Sequence, residues 1–156
     1  VSKSEIDTRE LTERVLTQIE PRRTEKKHEI LVRYQTGTVL ADSARLEQVL
    51  TNLLDNAFKY TPPQGKILLS WELSTSEKTA SSTLLRISDN GPGIAPDHLS
   101  RIFERFYRVD EGRSRKLGGT GLGLAIVKHI LQSHGGSVTV KSEMGQGTEF
   151  LCLFPN

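Results

Sequence analysis

The 156 residues, 35% hydrophobic and 26% charged, fit one globular domain large enough to bury its own core. A formal net charge of +2 is too small and too evenly spread to demand nucleic acid or an anionic membrane as a partner. The single cysteine, Cys152 in "EFLCLF", cannot close an internal disulfide and reads as a buried core thiol of a reducing, cytoplasmic compartment, and no apolar run approaches the roughly 18 residues of a membrane span.

Asp7 followed by Glu10 reads as an N-cap and capping-box pair, and Leu11, Val15, Leu16 and Ile19 recur at helical spacing. A first helix is predicted over about residues 8 to 19, with Pro21 opening a further short turn. "EILVRYQ" and "TVLA" follow as strands. Asp42 is the N-cap of a second helix, whose Leu46, Val49, Leu50, Leu53, Leu54, Ala57 and Phe58 form a broad apolar stripe ended by "TPPQG". "KILLSWELS" and "STLLRISD" are strands joined by the polar loop "TSEKTASS". "VDEGRSRKLGGTG" has almost no apolar anchor and reads as a mobile loop. "LGLAIVKHILQSHGG" is a helix closed by Gly135 and Gly136, and "SVTVKSE" and "TEFLCLF" are strands around a "MGQG" turn. The order lacks a regular βαβ alternation, so the expected class is an α/β sandwich with helices on one face of a mixed sheet, not a doubly wound parallel sheet.

Three glycine clusters stand out: Gly91 with Gly93, the run "GGTGLGLA", and Gly145 with Gly147. The last pair reads equally well as an ordinary turn. Gly118, Gly119, Gly121 and Gly123, with Thr120 among them, stand at a helix start and expose N–H groups at the positive end of the helix dipole, which suits a phosphate. The run is not a P-loop, because Leu124-Ala125-Ile126 stands where Lys-Ser or Lys-Thr is needed. It is not a dinucleotide fingerprint either, since a loop precedes it and the third small residue is missing.

On the second helix Asn52, Asn56 and Lys59 lie at i, i+4 and i+7, on one face away from most of the leucines. Asn oxygens are hard, neutral ligands suited to Mg²⁺, and Lys59 can meet a phosphate, although a solvated helix face has the same pattern. Asp89 ends a strand with Gly91 and Gly93 behind it. It reads either as an Asx-turn residue or as an acceptor for the amino group of adenine.

Together the segments resemble the catalytic and ATP-binding domain of sensor histidine kinases, in the superfamily, abbreviated GHKL, that includes gyrase, large heat-shock chaperones and mismatch-repair ATPases. "RLEQVLTNLLDNAFKYTP" is similar to the N box, "ISDNGPGIA" to the first glycine box, "RIFERFYR" to the F box, "GGTGLGLAIVKHI" to the second glycine box, and "GQGTEF" to the last glycine motif. The motifs stand in the family's order and cover nearly the whole chain. The resemblance implies a two-layer sandwich of the Bergerat type, with a mostly antiparallel mixed sheet covered on one face by helices, and a flexible lid over ATP.

It also implies Asn56 as the Mg²⁺ ligand, Asn52 assisting, Lys59 at the phosphates, Tyr60 along the adenine and Asp89 on its amino group. Thr148 would support Asp89 through water. Gly91 and Gly93 would back the base, and Gly119, Gly121, Leu122 and Gly123 would offer N–H groups to the phosphates, with Ile94, Thr120 and Leu124 completing the contacts. Arg108 is the candidate for the γ-phosphate, with Arg105 second. Phe103 and Phe106 either bury the root of the lid or also dock a partner domain. Arg113, Arg115 and Lys116 read as a solvated loop or as phosphate followers.

Hydrolytic relatives carry a Glu as general base where this chain has Asn52. An amide cannot take a proton, so the γ-phosphoryl group is expected to be kept for an acceptor. That acceptor is a histidine of a dimerisation domain, which "KHEILVRY" does not supply, and His98, His129 and His134 read as surface or helix-end residues. The chain is therefore expected to be one catalytic domain over residues 1 to 156, without the phosphoacceptor hairpin and monomeric by itself. A response regulator would act downstream, and the parent is expected to be either soluble or anchored in a membrane. The alternatives are a non-catalytic ATP-gated interaction module and a superfamily ATPase.

Overall fold

A computed structural model describes residues 1–23, 26–76, 79–108 and 121–156. The elements run β1 (Ser4–Asp7), α1 (Thr8–Arg23), β2 (Glu29–Tyr34), β3 (Thr38–Ala41), α2 (Ser43–Tyr60), β4 (Lys66–Ser76), β5 (Thr79–Asp89), α3 (Pro96–Leu99), α4 (Gly123–Ser133), β6 (Ser137–Glu143) and β7 (Gly147–Pro155).

Asp7 begins α1 as anticipated, its Oδ1 accepting from the Glu10 N–H at 2.9 Å. The helix then continues through Pro21 instead of restarting there. α2 follows its apolar stripe: the seven residues that share a face in the sequence are the seven that are buried, and Asp42 caps its N-terminus by accepting from the Arg45 N–H at 3.2 Å. Two elements were not anticipated. β1 pairs antiparallel with β3 to make a small second sheet, and Pro96 opens the single helical turn α3 in what reads as loop.

The main sheet has the order β2-β4-β5-β7-β6, with β2 parallel to β4 and the other pairs antiparallel. It is mixed, mostly antiparallel and covered by helices on one face, as expected. Alternation explains the cover: Ile67, Leu69 and Trp71 on β4, Leu85 and Ile87 on β5, and Phe150, Cys152 and Phe154 on β7 share one face and pack with the apolar sides of α1, α2 and α4. Trp71 is fully buried, and its indole N–H donates to the Thr12 hydroxyl at 2.8 Å. Burial without a partner pushes the Cys152 thiol up to about 12, so it is a core residue and not a nucleophile. The opposite face carries Arg86 between Glu72 and Glu149, which hold its guanidinium more firmly protonated than usual. β4 and β5 also extend further than expected into the polar loop, pairing as far as Ser76 with Thr79.

Candidate functional site

The site forms where the helix-covered face of the sheet meets the C-terminal half of α2. Asn52, Asn56, Lys59 and Tyr60 are half-buried there. The Asn52 Nδ2 donates to the Gly123 carbonyl at 3.2 Å, tying α2 to the first residue of α4. Among the described residues this leaves the Asn52 amide oxygen as its free acceptor.

Asp89 ends β5, and its Oδ1 accepts from the Gly91 N–H at 2.9 Å, so the Asx turn is present. Burial raises the pKa of its carboxyl, opposed by backbone hydrogen bonds from Gly91 and Thr148 and by the nearby His28. Among the described residues no Lys or Arg forms an ion pair with it.

The turn between β6 and β7 is clamped onto the loop after β5. The Gly145 N–H donates to the Pro92 carbonyl at 2.8 Å. Gly93 has φ +79, and a Cβ there would stand 2.3 Å from the Glu143 carbonyl oxygen. At Gly147, with φ +131, a Cβ would stand 1.9 Å from the Asp89 carbonyl oxygen, so this glycine is required by contact and not only by turn geometry. The Ile94 N–H donates to Ser142 Oγ at 2.7 Å, and Thr148, nearly buried, meets the same hydroxyl at 2.9 Å.

The backbone around Phe106 and Gly121 is held differently. Phe106 has φ +65, is 68% exposed, and donates its N–H to the Gly121 carbonyl at 2.8 Å. Gly121, with φ +78, faces that backbone so closely that a Cβ would stand 2.8 Å from it. Phe103 instead packs edge-on against Phe150 in the core. The dual reading of these phenylalanines therefore divides: Phe103 buries the segment's root and Phe106 does not. Leu122 sits at the N-cap position of α4 with Leu124 as the second helical residue, and a Cβ on Gly123 would meet open space. Arg105 and Arg108 line a cavity of about 320 Å³ with Arg101, Glu104, Phe106 and Tyr107, and no residue of α2 or β5 lines it. The structure thus joins Asn52 to Gly123 across α2 and α4, groups Asp89, Gly91, Gly93, Ile94 and Thr148 around the end of β5, and places the two arginines in a pocket of their own segment. Gly118, Gly119, Thr120, Arg113, Arg115 and Lys116 lie outside the described residues.

Three contributors escaped sequence reasoning. Lys26 Nζ donates to the carbonyls of Phe58, Lys59 and Thr61 at 2.9, 2.8 and 3.3 Å, capping the end of α2 with a cation. His28, 4% exposed, bonds through Nε2 to the Thr61 carbonyl at 2.8 Å and stacks on Phe58. Neither is signalled by spacing, since both act across more than 30 residues. Ser142 did leave a signal: it follows Val138 and Val140 on the inward face of β6, a hydroxyl ending an apolar stripe. His134, expected at the surface or a helix end, closes α4 but is buried, its Nε2 accepting from the Asp42 N–H at 3.0 Å.

The family model described as histidine kinase-, DNA gyrase B- and HSP90-like ATPase matches residues 41–156. The chain belongs to this family. Sensor protein SrrB of Staphylococcus aureus is 50% identical over 114 residues, which are 73% of this chain and 19% of SrrB. The chain thus spans about one fifth of the length of that curated relative. Among solved structures, the mycobacterial sensor histidine kinase MprB superposes with a TM-score of 0.81 at 32% identity, covering 99% of this chain and 97% of that one. Full-length ShkA, solved in complex with AMPPNP, gives 0.81 at 38% identity over 99% of this chain and 31% of its own. As a histidine-kinase-type ATPase domain of the GHKL superfamily, the chain has the fold of kinase catalytic domains, and ATP binding and a kinase role hold at the level of the family. No helix among the described residues is long and apolar enough to cross a membrane.

Proposed function

We propose that residues 1–156 form one catalytic domain that binds Mg·ATP and transfers the γ-phosphoryl group to a histidine of a separate dimerisation and phosphoacceptor domain, in a cytoplasmic two-component pathway ending at a response regulator. The observation that carries this reading is Asp89. A carboxylate half-buried among glycines, with its pKa raised by burial and no Lys or Arg ion-paired with it among the described residues, costs stability and is matched by a ligand that brings N–H donors. Adenine brings an amino group. Tyr60, at the end of α2, would lie along the ring, with Gly91, Gly93 and Ile94 behind it and Thr148 beside Asp89.

Asn52 and Asn56 present amide oxygens, and no group of three His, Cys, Asp or Glu gathers for a metal among the described residues. This donor set fits Mg²⁺, which takes most of its ligands from phosphate and water. When bound, Mg²⁺ neutralises phosphate charge. Asn56 would hold it, with the Asn52 oxygen assisting. Lys59 would meet the phosphates as a point charge, together with the N–H groups of Gly121, Leu122, Gly123 and Leu124 at the start of α4 and those of Gly119 and Thr120, which precede them in sequence. Arg108, with Arg105 second, would reach the γ-phosphate. Asn52 supplies no general base, so water is not activated and transfer to an imidazole nitrogen by in-line displacement is favoured over hydrolysis. AMPPNP in the ShkA structure and the kinase relatives support the reading.

The test is phosphotransfer. The chain, radiolabelled Mg·ATP and a sensor-kinase dimerisation domain should yield an acid-labile phosphohistidine on that domain, lost in Asn56→Ala, with slow release of free phosphate. Binding without transfer to any such domain would favour a nucleotide-gated interaction module, and rapid phosphate release would favour an ATPase.

A further inference from the structure

Three polar side chains form a row across the end of the sheet. Register pairs Asp89 of β5 with Thr148 of β7, and Thr148 with Ser142 of β6. Directly opposed residues project from the same face, so all three stand side by side on the face that carries Phe150 and Cys152. Ser142 Oγ lies 2.7 Å from the Ile94 nitrogen, 2.9 Å from the Gly147 carbonyl oxygen and 2.9 Å from Thr148 Oγ1.

A hydroxyl has one proton and two lone pairs, which fixes the direction of every bond in this group. The Ile94 N–H can only donate, so it uses one lone pair of Ser142. The Gly147 carbonyl can only accept, so it takes the single Ser142 proton. The third contact therefore needs a proton from Thr148, and the Thr148 hydroxyl donates to Ser142. What remains on Thr148 Oγ1, beside Asp89, is lone pairs. An ionised Asp89 likewise only accepts.

We propose that Ser142 is a specificity-determining residue of the nucleotide site: by drawing the Thr148 proton towards β6, it makes the wall formed by Asp89 and Thr148 accept hydrogen bonds only. Such a wall takes a base edge bearing an amino group and rejects one bearing a carbonyl at the same place. The inference rests on the adenine-nucleotide reading above and adds how the discrimination is set.

ATP and ITP share sugar and triphosphate and differ at this edge, where hypoxanthine carries a carbonyl. Both are titrated calorimetrically into the wild type and Ser142→Ala. The wild type should prefer ATP. In Ser142→Ala the Thr148 proton is free to turn towards the base, and the ATP-to-ITP preference should narrow about fivefold or more, chiefly by a gain for ITP, as one recovered hydrogen bond implies. Adding Thr148→Val should remove the new donor and with it the ITP gain. Ser142→Thr keeps the hydroxyl and should keep the wild-type ratio. If Ser142→Ala does not fold, Ser142→Cys, with a poorly accepting thiol of similar size, carries the same expectation. A wild type that prefers ATP together with variants whose ratio is unchanged, or whose ATP and ITP affinities fall in parallel, overturns the role of Ser142. A wild type that binds neither nucleotide, or both equally, overturns the adenine reading and the inference with it.

Discussion

The stretch around Asp89 and the start of α4 at Gly123 are built in opposite ways. On the side of Asp89, each backbone approach is closed: Gly91 donates to the carboxylate, Gly145 to Pro92, Ile94 to Ser142, and Gly147 leaves no room even for a Cβ. On the side of Gly121 to Leu124, Phe106 is exposed with positive φ, and Gly123 stands beside open space. On the proposed reading, a rigid planar ring would be met by a wall complete before it arrives. Phosphates, which are charged and variable in pose, would on that reading be met at Gly123, where a Cβ would meet open space. Glycine therefore has two meanings in this chain: at Gly147 the protein itself forbids a side chain, and at Gly123 nothing in the protein does.

The strongest way to break this contrast is Gly147→Ala. Positive φ and a Cβ 1.9 Å from the Asp89 carbonyl oxygen should cost about 2–4 kcal/mol of stability, read as a lowered denaturation midpoint, and should remove ATP binding with it. Asp89→Asn should next weaken ATP by about 10- to 100-fold, the range for a lost charge-assisted hydrogen bond, while the nucleotide-free domain stays folded; thermal shift with and without ATP separates the two effects. Gly123→Ala should do the reverse of Gly147→Ala. It should hold or raise apo stability, by up to about 1 kcal/mol from helix propensity, yet weaken ATP because the methyl group fills the phosphate approach.

The smallest effect is on pH. Burial raises the folded-state pKa of Asp89 above its unfolded value, so the native chain holds this proton more tightly. Its contribution is most favourable below the unfolded carboxylate pKa and is lost as pH rises through the folded one. Wild type should therefore lose stability relative to Asp89→Asn as pH rises through that window, while ATP binding, which by the proposal uses the carboxylate, should strengthen. Parallel pH curves for the two proteins would contradict the assignment of the shift.

Local patterns carried most of what was legible in the sequence. The α2 stripe, the Asp7 and Asp42 caps and the alternating strands are set by neighbours within a turn or two, and the structure reproduces them. β1 was not legible, because "SEID" has one apolar residue and becomes a strand only through β3, more than 30 residues away. Lys26 likewise looks like part of a solvated charge run until α2 brings three carbonyls to its ammonium group. Asn52 and Asn56 were found from helical spacing, but the contact that commits the Asn52 nitrogen to Gly123 joins two elements whose packing no local pattern encodes.

The most direct test of the adenine pocket is calorimetric titration of the wild-type chain with ATP and with GTP in the presence of Mg²⁺. The wall around Asp89 predicts saturable binding of ATP and little or none of GTP. Equal binding of the two, or no heat from either, would contradict it.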